Sequence, residues 1–149
     1  MKKFLIIIIL AFVTTNLLAQ TNKPLKATTA TTNDLSFLKK LEGKYPAGLL
    51  EHPKLKSRLK KMMVLHYDFV NNEVWQTLIP NRVEGDYFIA EGMQLHSGGD
   101  PSACIIVNLK TNEIFVGVRD QIEYLYAEKS IEMPAILKKW AVKTYPPTP

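Results

Sequence analysis

Three histidines, one cysteine and a group of acids are the residues with which this 149-residue chain could do chemistry. A nucleophilic hydrolase needs a thiolate or alkoxide with a base beside it, and the nearest pairing is Cys104 with His96. A thiolate needs an electropositive, partly exposed setting, whereas Cys104 lies in the apolar run Ala103-Cys-Ile-Ile-Val107. It reads as a small core residue held by packing, with disulfide pairing between chains as the alternative. A metal centre would draw on His52, His66 and His96, but these fall in three segments without HxH, HExxH or CxxC spacing. No metal site is expected. Glu84, Asp86, Glu91 and Asp100 could supply the facing carboxylates of a glycosidase, yet acids beside turns read first as a solvated fringe. Gly98-Gly99 precedes a strand, not a helix, so it is no phosphate cradle. Met62-Met63, Trp75, Phe88 and Phe115 fit core positions rather than a cofactor box, and no cofactor is expected. Without a catalytic constellation the chain reads as a binder, not an enzyme.

The segment best suited to binding is Gly92-Met-Gln-Leu-His-Ser-Gly-Gly-Asp-Pro101, where three glycines and a proline impose an irregular backbone around His96. It must be positioned by the elements around it. Leu35, Leu38 and Leu41 are spaced for a short helix from Asp34 to Leu41, with Asn33 or Asp34 as N-cap and Gly43 just past its end. Pro53 opens a second helix to about Met63, with Leu55, Leu59, Met62 and Met63 on one face. Lys54, Lys56, Arg58, Lys60 and Lys61 fill its other positions and read as the solvated side of an amphipathic helix. His66 to Asn72 adds a further helical turn.

From Val74 the period changes to two. Strands are expected at Val74 to Ile79, closed by Pro80, then at Tyr87 to Ala90 after an Asn81-to-Asp86 turn, and at Ala103 to Leu109. Ile114 to Arg119 follows a short turn in which Asn112 takes the left-handed position, and Ile122 to Ala127 is the fifth strand. Ala103 to Val107, apolar throughout, predicts a central strand covered on both faces, and the mixed Gln121 to Glu128 segment predicts an edge. Pro134 to Val142 reads as a closing helix. The fold class is α+β: about five antiparallel strands flanked by short N-terminal helices and a C-terminal helix.

The N-terminus gives an address. Lys2 and Lys3, the apolar run Phe4 to Val13 and a more polar stretch ending in Ala19 have the order of a cleavable signal peptide. Ten apolar residues cover only about half of a ~30 Å hydrocarbon core, and no cysteine follows them for lipidation, so no stable membrane anchor is expected. The mature protein is expected in the periplasm or outside the cell. Residues 20–33 read as a flexible leader, 34–142 as one domain and 143–149 as a disordered proline-rich tail. Cleavage leaves 17 basic against 14 acidic residues, a net charge of +3 that is too mild to imply nucleic acid.

Several pieces, in order, resemble a known family: Leu41-Glu-Gly-Lys-Tyr-Pro46, Leu49-Leu-Glu-His-Pro53, Leu55-Lys-Ser-Arg-Leu59, Tyr87-Phe-Ile-Ala-Glu-Gly92, His96-Ser97, Val107-Asn-Leu-Lys-Thr-Asn112 and Ile114-Phe-Val-Gly-Val118. Their succession, from about Leu35 to Trp140, is similar to the Ivy-type inhibitors of vertebrate lysozyme. The resemblance implies a periplasmic inhibitor, often a homodimer, whose partner is lysozyme or another muramidase. In that family the loop after the second strand plugs the substrate cleft, and a histidine in it meets the two catalytic carboxylates. Here the matching loop is Met93 to Asp100, which gives Gln94, Leu95, His96, Ser97, Gly98, Gly99 and Asp100 as the binding residues, with His96 at the tip. Family members usually close this loop with a disulfide, and Met93 and Gly98 stand where those cysteines would be. Vertebrate lysozymes are basic, so a net charge of +3 gives no steering toward them. The alternative is an envelope-binding module on the same scaffold that inhibits nothing.

Overall fold

The computed structural model describes residues 34–142. The expected signal peptide, leader and proline-rich tail lie outside them. Asp34 opens the described chain, its carboxylate accepting from the Ser36 amide at 2.9 Å and from the Ser36 hydroxyl at 2.9 Å. The turn it starts, Ser36–Leu41, is a 3₁₀ helix and not the expected α-helix. Leu35 and Leu38 are buried beneath it, and Gly43, at φ 74°, lets the chain turn away.

Helix α1, Pro53–Met62, follows the sequence rules closely. Proline occupies its first turn, His52 Nδ1 accepts from the Lys54 amide at 3.3 Å, and Leu55, Leu59 and Met63 are fully buried along one face. Helix α2, Tyr67–Phe69, runs into a π-helical turn, Val70–Val74, so the helical segment after His66 is longer than expected. Tyr67 anchors it, donating to the Leu50 carbonyl at 2.9 Å.

Five antiparallel strands then pair in chain order: β1 Thr77–Glu84, β2 Tyr87–Met93, β3 Ser102–Asn108, β4 Glu113–Asp120 and β5 Ile122–Ala127. Central β3 is apolar at five consecutive positions because both faces are covered. Ala103, Ile105 and Val107 join the core under α1, whereas Cys104 and Ile106 meet helix α3, Ala135–Ala141, through Leu137 and Trp140. As expected, β5 is an edge and Asn112 takes a left-handed φ, 57°.

The first strand corrects the sequence reading. Val74 is fully buried in the π turn, β1 begins three residues later, and Pro80 lies within it. The register slips between Ile79 and Arg82, which places Pro80 in a bulge on an edge strand where its missing N–H breaks no ladder bond. Asn81 beside it turns outward to the preceding segment. Its amide donates to the Lys44 carbonyl at 2.8 Å, its carbonyl accepts from Gly43 at 2.8 Å, and its side chain donates to the Leu41 carbonyl at 3.0 Å. The reversal expected over Asn81 to Asp86 is only the two residues Gly85 and Asp86. Among the described residues no helix is long and apolar enough to cross a membrane.

Candidate lysozyme-binding loop

The ladders decide where the loop stands. Met93 pairs with Ser102, so residues 94–101 leave and re-enter the sheet between two adjacent central strands. The Gln94 amide donates to the Pro101 carbonyl at 3.1 Å and closes the base. Within the loop the Ser97 hydroxyl donates to the Gln94 carbonyl at 2.8 Å and accepts from the Gly99 amide at 3.4 Å. Gly98 and Gly99 take φ of 68° and 108°, which L side chains rarely adopt. His96, at φ 60°, is left-handed too, and with Leu95 it is exposed. Gln94 and Ser97 are half-buried, Gly98 and Asp100 are exposed, and Gly99 is buried. All seven residues singled out in the sequence thus belong to the one loop between β2 and β3, in which Leu95 and His96 are exposed side by side.

Two supports went unseen in the sequence. Gln76 Oε1 accepts from the Leu95 amide at 3.1 Å, tying the loop to the residue just ahead of β1. Trp75 packs on the Gly92 backbone, where an added Cβ would lie 2.8 Å from Trp75 Cε3, and its indole donates to the Pro46 carbonyl at 3.3 Å. Nothing in linear spacing could have found Gln76, which stands 19 residues from its partner.

The other candidate groups are scattered. His52 caps α1 and stacks on Phe37 at 4.3 Å, while His66 is hydrogen-bonded to the Tyr126 hydroxyl and packs on the Tyr124 ring at 4.2 Å. Glu84 and Glu91 both end on Arg82, at 2.6 and 2.7 Å, and Asp86 pairs with Lys110 at 2.7 Å. Burial pulls the Arg82 guanidinium down, but hydrogen bonds and charge from Glu84 and Glu91 outweigh it and hold it above its ordinary value. The acids that cluster in sequence are therefore engaged in ion pairs, Glu84 and Glu91 sharing Arg82, and of the four only Asp100 lies in the loop. Cys104 is fully buried beside Ile89 and Ile106, as a core residue. A groove of about 660 Å³ between α1 and the β3–β4 turn, lined by Arg58, Lys61, Asn112 and Glu128, lies at the opposite end of the sheet from His96.

Residues 54–147 match the family model described as Inhibitor of vertebrate lysozyme (Ivy). The chain belongs to the Ivy family. The matched span opens at α1 and takes in the whole sheet with the His96 loop, whereas the similar segments Leu41 to Pro46 and Leu49 to Pro53 precede it. Neither the curated proteins nor the solved structures gave a match. Within the matched span the loop contains no cysteine, and the Ser97 hydroxyl ties it internally.

Proposed function

We propose that this Ivy-family chain is an exported inhibitor of a muramidase of the lysozyme class, with the Met93 to Asp100 loop as plug and His96 as the residue that meets the catalytic carboxylates. The observation that carries the reading is an exposed histidine held in a left-handed conformation within a tied hairpin loop, on a chain of this family.

The chemistry is simple. A retaining glycosidase sets two carboxyl groups about 5 Å apart at the base of a cleft. A neutral imidazole can donate one hydrogen bond to that pair, and an imidazolium can donate two and adds Coulomb attraction where water has been expelled. The flanking glycines keep the loop narrow enough to enter. Because Ser97, Gln94 and Gln76 already hold its backbone, little loop entropy is lost on binding. The signal-like order of the N-terminal residues supports an encounter in the periplasm or outside the cell, after cleavage near Ala19.

The test is inhibition of cell-wall lysis by the purified domain against chicken-, goose- and invertebrate-type lysozymes. Inhibition is expected at micromolar domain with at least one type, and His96→Ala should abolish most of it while leaving the thermal midpoint unchanged. Absence of inhibition against all three types would overturn the reading.

A further inference from the structure

A protein–protein interface of ordinary stability takes roughly 20 to 30 residues from each partner and about 800 Å² of surface on each side. The loop from Met93 to Asp100 has eight residues, of which Leu95, His96, Gly98 and Asp100 are exposed. It cannot supply such an area alone. The ladders show what stands beside it. Ser102 pairs with Arg119, and Asp120 pairs with Ile122, so the turn between β4 and β5 lies at the same end of the sheet as the loop. Two strand spacings, about 10 Å, separate them.

That neighbouring turn carries an exposed apolar side chain. Ile122 is 56% exposed, matching Leu95 at 55%, and Gln121 between Asp120 and Ile122 is left-handed at φ 65°. Nothing in the core explains an isoleucine presented to solvent at a turn tip. Within the two segments themselves the formal charge is of one sign. Segments 94–101 and 120–123 contain Asp100, Asp120 and Glu123, all exposed, and no lysine or arginine. Buried Arg119 offsets part of Glu123 at 3.5 Å. The exposed lysines of α1 sit toward the other end, where Arg58 Nη2 donates to the Asn112 carbonyl at 2.5 Å. A net charge counted over the chain hides this separation.

We infer that the turn Asp120–Ile122 is the second half of the docking surface, seated on a cationic rim of the muramidase whose cleft receives His96. The inference rests on the proposed function. Ile122 adds apolar contact outside the cleft, and Asp120 with Asp100 favours approach of a basic partner with this end forward.

The experiment is binding of the wild-type domain to the chicken-, goose- and invertebrate-type lysozymes by calorimetry and stopped flow, and, on the type that binds, of Ile122→Arg, Asp120→Lys and, as a control at the opposite end, Thr111→Arg. Ile122→Arg should weaken binding at least about tenfold. Asp120→Lys should slow association severalfold at low salt and by less at high salt, and Thr111→Arg should change neither. Thermal unfolding checks each variant, and if Ile122→Arg is misfolded, Ile122→Ser carries the test with a loss of about threefold or more expected. If His96→Ala abolishes binding while the folded Ile122 variant binds within twofold of wild type, the loop acts alone and this inference is overturned with the proposed function intact. If the wild-type domain binds none of the chicken-, goose- and invertebrate-type lysozymes, both are overturned.

Discussion

His96 and Ser97 divide the work of the loop between them. His96 carries the ring that can meet carboxylates, but a left-handed backbone at a residue with a Cβ needs its surroundings to hold it. Ser97 is the nearest such hold, bonded on one side to Gln94 and on the other to Gly99. Ser97→Ala removes both bonds without touching the sheet, so the loop should sample more conformations before binding. The 2.8 Å bond to Gln94 is the stronger of the two, and a single neutral hydrogen bond contributes about 1 kcal/mol, so the inhibition constant should rise about fivefold and the thermal midpoint fall by no more than about 4 °C. An unchanged constant would mean that the partner, not the serine, orders the loop. The exposure of His96 in an irregular loop was legible in the sequence because glycines around a lone histidine mark a presented side chain. The loop's supports were not, because Gln76 reaches Leu95 only through the register of β1 on β2.

At the scale of elements, close approach decides the architecture. α3 lies against β4 at Gly117, where an added Cβ would overlap Trp140 Cζ3 and stand 2.7 Å from Trp140 Cε3 and 3.0 Å from Leu137 Cδ1. Gly117→Ala should therefore push the helix off the sheet and lower stability by about 1 to 3 kcal/mol, read by urea unfolding. Neutral behaviour would show that α3 can shift without loss. Elements with strong local signals matched the sequence reading: α1 begins at its proline, and β5 runs over the residues expected of it. β1 did not match, because a proline ends a strand only where its neighbours need the missing N–H. On an edge with a bulge they do not, and linear sequence does not mark an edge. The N-terminal 3₁₀ turn is a similar case, since leucines spaced by three suit both helix types.

For the whole domain, one ion pair ties the N-terminal helices to the far end of the sheet. Arg58 Nε donates to Glu128 Oε1 at 2.7 Å and Arg58 Nη2 to Glu128 Oε2 at 2.5 Å, across 70 residues of chain. Burial pushes the Glu128 carboxyl up, but hydrogen bonding and charge from Arg58, with the Ile114 contact, outweigh it and hold it below its ordinary 4.5. A carboxyl depressed in the folded state contributes stability that is fully present above its unfolded value. That contribution is lost as pH falls through the folded value. Thermal midpoints should thus drop below about pH 4.5, and Glu128→Gln should flatten that part of the profile while lowering stability at pH 7 by about 1 kcal/mol. An unaltered acid limb in the variant would assign the effect to other groups.

The order of the strands bears on how the domain forms. Because β1 to β5 pair in the sequence in which they leave the chain, every ladder joins consecutive segments, and the longest connection between paired strands is the eight-residue His96 loop. Loop closure for such neighbours carries a small entropic penalty, and a sheet built this way has a lower contact order than one wound by crossovers. The chain can therefore zip from one hairpin to the next as it folds. Nor does that assembly wait on an oxidant, since the single thiol, Cys104, lies inside the finished core and has no second cysteine in the chain to join.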